Sequence, residues 1–327
     1  MTGSGMVLSP HPAGWDEALR LALGDLQLDR WRSTKEVLAR ADSWGQLTSQ
    51  SQVLASAAAK GRAIEAWCAE EPGDAYALMM LARVLTQRAL TAGRAGVDRH
   101  SLLGVCTRAL EACVSAEAVW PQCPIPGVCR LAVATLDLDP YRPLARTAWA
   151  APPEKLLLPG PWPLLDAVDQ LDPCNREAYH RMLQTFTARR SGALNFARYV
   201  SDRAPLGSPL RVLPIYGFVE DYALQLRSGR GGAISYWSTE LCRYHVTRAR
   251  DGWFARLKDP RSASLLDLNY LAYGLGVTGL PGAAAVFEAI GPFATPAPWE
   301  QAQSAKWWED SFAAAHRNAM RETRRRR

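Results

Sequence analysis

Apolar residues recur three and four positions apart along almost the whole chain, and β-branched runs with strict alternation are scarce. That spacing lays one apolar stripe along a helix and predicts helices throughout, most clearly over residues 15–28, 76–90, 102–114, 178–186 and 218–226. The polar breaks Glu71-Pro72-Gly73-Asp74 and Leu171-Asp172-Pro173-Cys174-Asn175 supply a proline and an Asp or Asn cap where the next helix should begin. Their spacing is regular. Pro72 and Pro140 are 68 residues apart, twice 34, while Pro140–Pro173, Pro173–Pro205 and Pro260–Pro292 are separated by 33, 32 and 32. A period near 34 is the length of a helix-turn-helix repeat, a unit that cannot bury its apolar face alone and so stacks on its neighbours. The expected fold is all-α, with helical hairpins stacked as an α-solenoid. Residues 1–70 would form N-terminal helices, 71–292 the repeat array, and 293–327 a C-terminal capping helix with an Arg-rich tail.

Within residues 262–292, Tyr270, Gly274, Gly279, Ala284, Phe287 and Pro292 follow the order of a tetratricopeptide repeat, which the segment resembles in degenerate form. The run Asp172 to Tyr179 similarly resembles the loop and helix start joining two such repeats. A narrower likeness covers residues 171–222. There Asn175, Ala178, Tyr179, His180, Met182, Leu183, Phe196, Ala197, Arg198 and the Ala204-Pro205-Leu206-Gly207-Ser208 run are similar to bacterial helical proteins grouped as a domain of unknown function. That family's Trp-Gly-Gly type of turn is replaced here by Ala188-Arg189-Arg190-Ser191-Gly192. The resemblance implies a helical scaffold and lends no activity.

The net charge of +6 is concentrated in blocks. Residues 1–160 balance 16 basic against 16 acidic side chains, whereas 176–261 hold 15 against 7, and 262–316 hold 1 against 5. A block of one sign within a balanced chain points to an acidic partner or a charge-matched neighbour. Seven cysteines form an odd set without a regular framework in a chain long enough to fold without staples, which fits a reducing compartment. The first fourteen residues lack a basic start followed by an apolar run, so the reading expects a cytoplasmic protein. Residues 268–287 carry no charge, but with Asn269, Thr278, Pro281 and four glycines they suit a hairpin better than a membrane span.

The candidate chemistry is thin. Gly274-x-Gly276-x-x-Gly279 matches a dinucleotide fingerprint in spelling, but its context is helical rather than strand-turn-helix. Cys106, Cys113, Cys123 and Cys129 lack the spacing of a zinc knuckle, and Cys106 and Cys113 would share a helix face as small apolar residues. Asp166, Asp169 and Asp172 could line a helix as magnesium-diphosphate enzymes require, but there is no second cluster, so the stripe reads as surface. His180 and His245 sit in amphipathic helices without a nucleophile in an elbow, and both read as packed histidines. No catalytic residue, metal or cofactor is assigned.

The expected function is a non-catalytic helical-repeat adaptor binding a protein or peptide, with Asn175, Tyr179, His180, Arg181 and Arg198 as candidate contacts. The alternative is nucleic-acid or regulatory binding through the 176–261 block, where Arg189, Arg190, Arg198, Arg203, Arg243, Arg248, Arg250 and Arg256 interleave with Tyr199, Tyr236, Trp237, Tyr244, Trp253 and Phe254. An all-helical enzyme is the third possibility.

Overall fold

The computed structural model describes residues 7–136, 149–229, 233–301 and 307–326. Pro140, one of the repeat landmarks, and Arg327 of the basic tail lie outside these. Among the described residues the secondary structure is helical with no strand, apart from one isolated bridge between Ala150 and Gly160. The chain divides into two compact units, Asp16–Ala193 and a second made of Met1–Trp15 with Leu194–Arg327.

The Asp16–Ala193 unit contains α1 (Glu17–Gln27), α2 (Arg32–Ala39), α3 (Trp44–Ala58), α4 (Ala63–Glu70), α5 (Ala75–Arg94), α6 (Arg99–Val119), α7 (Ile125–Ala134), α8 (Trp162–Leu171) and α9 (Arg176–Ala188). Their starts follow local chemistry. Asp16, Ser43, Asp74, Asp98 and Asn175 each turn a side-chain oxygen onto a free amide of the first turn, satisfying donors that have no partner within the helix. Asp74 and Asn175 are the caps expected at the two polar breaks. The hairpin of α5 and α6 has the most extensive packing, and α7 lies against both helices. Packing also reaches beyond sequence neighbours, since α3 touches α5 and α9, and α7 touches α9. Leu38, Leu54, Ile64, Trp67 and Met79 are fully buried in this core. Trp31 stacks flat on Trp67 with ring centroids 5.1 Å apart, beside a shallow depression whose Lys35 is held by Glu71 and Asp74.

The second unit holds α10 (Ala193–Arg203), α11 (Leu213–Arg227), α12 (Ala233–Trp237), α13 (Glu240–Gly252), α14 (Leu265–Thr278), α15 (Ala283–Ile290) and α16 (Trp308–Arg326). Its core is aromatic. Trp237 meets Phe218, Tyr222, Tyr236 and Tyr273 edge to face at centroid distances of 5.3 to 6.3 Å. The uncharged stretch 268–287 is a hairpin of α14 and α15, and no helix among the described residues is long and apolar enough to cross a membrane. Two of its glycines have structural reasons. Gly279 closes α14 in the left-handed conformation at φ 64°, and a Cβ on Gly274 would stand only 3.2 to 3.3 Å from Val246 and Ile215. The glycine spelling therefore sits on a helix and its cap, where no strand feeds a phosphate-binding turn. Before the first helix, the chain joins this unit: Trp15 packs edge-on to Phe293 at 4.9 Å, its Nε1 donates to the Ala289 carbonyl at 2.8 Å, and the Ser9 amide donates to the Pro292 carbonyl at 2.8 Å.

Candidate functional site

Four of the residues singled out in the sequence, Asn175, Tyr179, His180 and Arg181, share the start of α9. Asn175 caps the helix by accepting from the Ala178 amide at 2.9 Å, and its Nδ2 donates to Asp172 at 2.7 Å and to Thr48 Oγ1 at 3.4 Å. The Tyr179 hydroxyl donates to Asp169 at 3.0 Å, and the same carboxylate oxygen accepts from the Cys174 amide at 2.8 Å. Asp169 and Asp172 thus shape the loop before α9. His180 is buried on that helix. Arg181 donates from Nε and Nη2 to Glu177 at 3.1 and 2.8 Å, and from Nη1 to Gln184 at 3.1 Å.

Glu177 is the centre of this network. It forms a forked ion pair with Arg83 of α5, at 2.8 and 2.7 Å, and both side chains are almost entirely buried. Arg83 also donates to Ser51 Oγ at 3.2 Å and to the Thr48 carbonyl at 3.1 Å, so α3, α5 and α9 are tied by one set of charge-assisted bonds. Burial alone would raise the Glu177 pKa; Arg83 and Arg181 outweigh it and hold the carboxyl at about 2. The network's groups are directed at one another.

The buried cysteines lie nearby. The neighbouring Cys113 thiol and Arg83 hold the Cys129 thiol below its ordinary range in spite of burial, whereas burial pushes Cys123 up to about 12. Among the described residues, no group of three or more His, Cys, Asp or Glu is arranged to hold a metal ion.

Arg198 lies in the other unit, on α10, and there the basic block sorts itself. Arg243 donates to the Thr278 carbonyl at 2.6 Å, and Arg250 to the Pro281 carbonyl at 3.0 Å and to Asp251, so both are bound at the α14–α15 end. Arg211 donates to the carbonyls of Ala204 and Pro205 at 2.7 and 3.0 Å, satisfying the end of α10. Burial lowers the Arg211 pKa first, and the neighbouring cations Arg248 and Arg256 lower it further, which marks a local excess of positive charge.

That excess sits where α13 faces α10. Thr239 caps α13, and its helical spacing stacks Tyr244, His245 and Arg248 along adjoining turns. Arg248 donates from Nη2 to the Ser201 carbonyl at 3.2 Å and from Nη1 to the Tyr244 hydroxyl at 2.8 Å, and among the described residues its carboxylate neighbour is Asp202 at 3.9 Å. Four polar atoms here are buried without a hydrogen-bond partner: Arg198 Nε, Ser201 Oγ, His245 Nδ1 and Arg248 Nε. Arg198 and Arg248 were legible as part of a basic block and His245 as a packed histidine. Ser201 was missed, although its place one turn after Arg198 could have suggested it.

Burial drives the His245 pKa down to about 4, and the Arg198 and Arg248 cations add to this against the opposing pull of Asp202. The ring is neutral in the fold at pH 7. Between about pH 6.5 and 4 the unfolded chain takes up a proton that the folded chain does not, so this contribution is complete above 6.5 and is lost as pH falls through that window. Urea titrations at pH 7 and pH 4.5 should show a loss of about 2 kcal/mol in the native protein beyond that in His245→Gln, after allowance for partial solvation of the site. An equal acid loss in the two proteins would rule out this origin.

A scan of protein-family models gives no match to the chain, and searches of the curated proteins and of the solved structures give none either.

Proposed function

We propose that the protein is a non-catalytic helical scaffold that docks an acidic protein or peptide segment on the face shared by α10 and α13. The observation that carries this reading is the under-compensated pair Arg198 and Arg248. Among the described residues Arg198 Nε is buried without a hydrogen-bond partner, and Arg248 has a distant, half-exposed carboxylate at 3.9 Å. Excess cationic charge beside unsatisfied buried donors is costly unless a ligand supplies acceptors. By contrast, the polar groups of Asn175 and Arg181 are committed within their own unit, which makes Arg198 the residue of the original set best suited to contact a partner. Within each unit the hairpins are taken to stack as tetratricopeptide-like repeats of an α-solenoid, a reading supported by the α5–α6 and α14–α15 pairs. Seven free thiols suit the cytoplasm.

A second reading has its own observation. Arg203 lies over the Tyr199 ring at 3.9 Å, and Arg248 over Tyr244 at 5.3 Å, with Tyr244 49% exposed, a combination on which single-stranded bases can stack. Fluorescence anisotropy separates the two. Glu-rich labelled peptides should bind, neutral peptides of equal length should not, and the Arg198→Ala/Arg248→Ala double variant should weaken the acidic peptide about tenfold or more. Equal affinity for neutral and acidic peptides would refute the docking reading. Tighter binding of oligo(dT), falling steeply between about 50 and about 200 mM salt, would favour the nucleic-acid reading instead.

A further inference from the structure

Building on the docking reading, we infer that one phosphoryl group, carried as a phosphomonoester on a side chain of the docked partner, is held where Arg248 of α13 meets α10. The inference concerns the chemistry of that contact, and it stands on the unsatisfied polar atoms. Arg198 and Ser201 are one turn apart on α10; His245 and Arg248 are one turn apart on α13. The Arg248 guanidinium joins the two helices by donating to the Ser201 carbonyl. Each of the four side chains keeps a buried polar atom unpartnered, and Ser201 and His245 are 0% and 1% exposed.

The inventory of these atoms selects the ligand. Arg198 Nε and Arg248 Nε donate only, the serine hydroxyl can donate, and a neutral histidine donates from Nδ1 in one tautomer. A ligand that answers four donors and two cations needs several acceptor oxygens and negative charge. A carboxylate brings two oxygens and one charge. A phosphodiester also has two free oxygens and one charge, whereas a phosphomonoester presents three strong acceptor oxygens and nearly two charges at neutral pH. Guanidinium groups match such an oxyanion in geometry as well as charge. Asp202, the carboxylate beside Arg248 among the described residues, lies 3.9 Å away and is 49% exposed, so it leaves a positive surplus in place.

The full-length protein should be titrated with inorganic phosphate at constant ionic strength, with chloride as the control, while the histidine ring signals are followed by NMR. Phosphate should bind saturably, and the dianion beside His245 should move that ring's titration midpoint upward; chloride should do neither. A phosphoserine peptide with acidic flanks should then bind about tenfold tighter than the same peptide carrying Ser or Glu at that position. Ser201→Ala should erase much of that preference while leaving the thermal midpoint unchanged. Arg198→Lys, which keeps the charge and loses the fork, should weaken the phosphopeptide more than the Glu peptide. Phosphoserine and Glu peptides of equal affinity, or a His245 titration indifferent to phosphate, would overturn the phosphoryl assignment and leave the acidic docking face standing. An oligonucleotide that outcompetes the phosphopeptide would also overturn it. If no acidic peptide binds at all, the docking reading fails together with this one.

Discussion

Glu177→Ala is expected to destabilise the Asp16–Ala193 unit by about 3–5 kcal/mol, because it strands the Arg83 guanidinium inside the protein without its counter-ion. The remaining partners of Arg83, Ser51 Oγ and the Thr48 carbonyl, are neutral acceptors that hydrogen-bond the cation without cancelling its charge. Arg181 loses its principal acceptor at the same time. Urea unfolding followed by far-UV circular dichroism reads this directly, since the midpoint should drop while the slope stays unchanged. The double replacement Arg83→Met/Glu177→Leu removes both charges and should recover most of the loss, as buried pairs exchanged for apolar side chains of similar volume commonly do. A Glu177→Ala variant within about 1 kcal/mol of the native protein would show that water reaches Arg83 and that the network contributes little. The pH dependence has a definite sign. The folded carboxyl titrates at about 2, below its ordinary value of 4.5, so its contribution is complete above about 4.5 and is lost as pH falls towards 2.

Trp237→Ala should cost the other unit about 3–5 kcal/mol, the range for deleting a fully buried large ring. Trp237 is the hub of an edge-to-face cluster with Phe218, Tyr222, Tyr236 and Tyr273, so its removal takes away both area and ring contacts, in a region where Tyr236 is itself bound to Asp221 and the Phe218 carbonyl. Trp237→Phe keeps a ring and should lose about half as much or less. Near-UV circular dichroism combined with thermal unfolding is the appropriate measurement. A Trp237→Ala protein with unchanged aromatic signal and thermal midpoint would mean that the cluster is not formed in solution.

The helical class could be read from periodicity because each helix turns its own apolar stripe inward, and the caps at Asp74 and Asn175 could be read because capping acts within four residues. The hairpin nature of 268–287 was legible for the same reason, with Gly279 and Pro281 marking the turn. The polar network was legible only in part. Glu177 and Arg181 are four apart on one helix face, but Arg83 precedes Glu177 by 94 residues, and nothing local in α5 indicates that this arginine points inward. The basic block was visible as charge, not as geometry. Arg243 and Arg250 use their charge on backbone carbonyls at Thr278 and Pro281, and a carbonyl leaves no trace in side-chain identity. The unpartnered atoms of Arg198, Ser201, His245 and Arg248 emerge only when every buried polar atom has been paired.

The docking of residues 9–15 against Ala289, Pro292 and Phe293 bears on the order of events during synthesis. The Asp16–Ala193 segment has all of its own helices once residue 193 has left the ribosome, so it can mature while the rest is still being translated. Trp15 is made 274 residues before Ala289, whose carbonyl its indole meets, and must wait for that stretch before its seat exists. Until then its indole lacks both the ring of Phe293 and the carbonyl of Ala289.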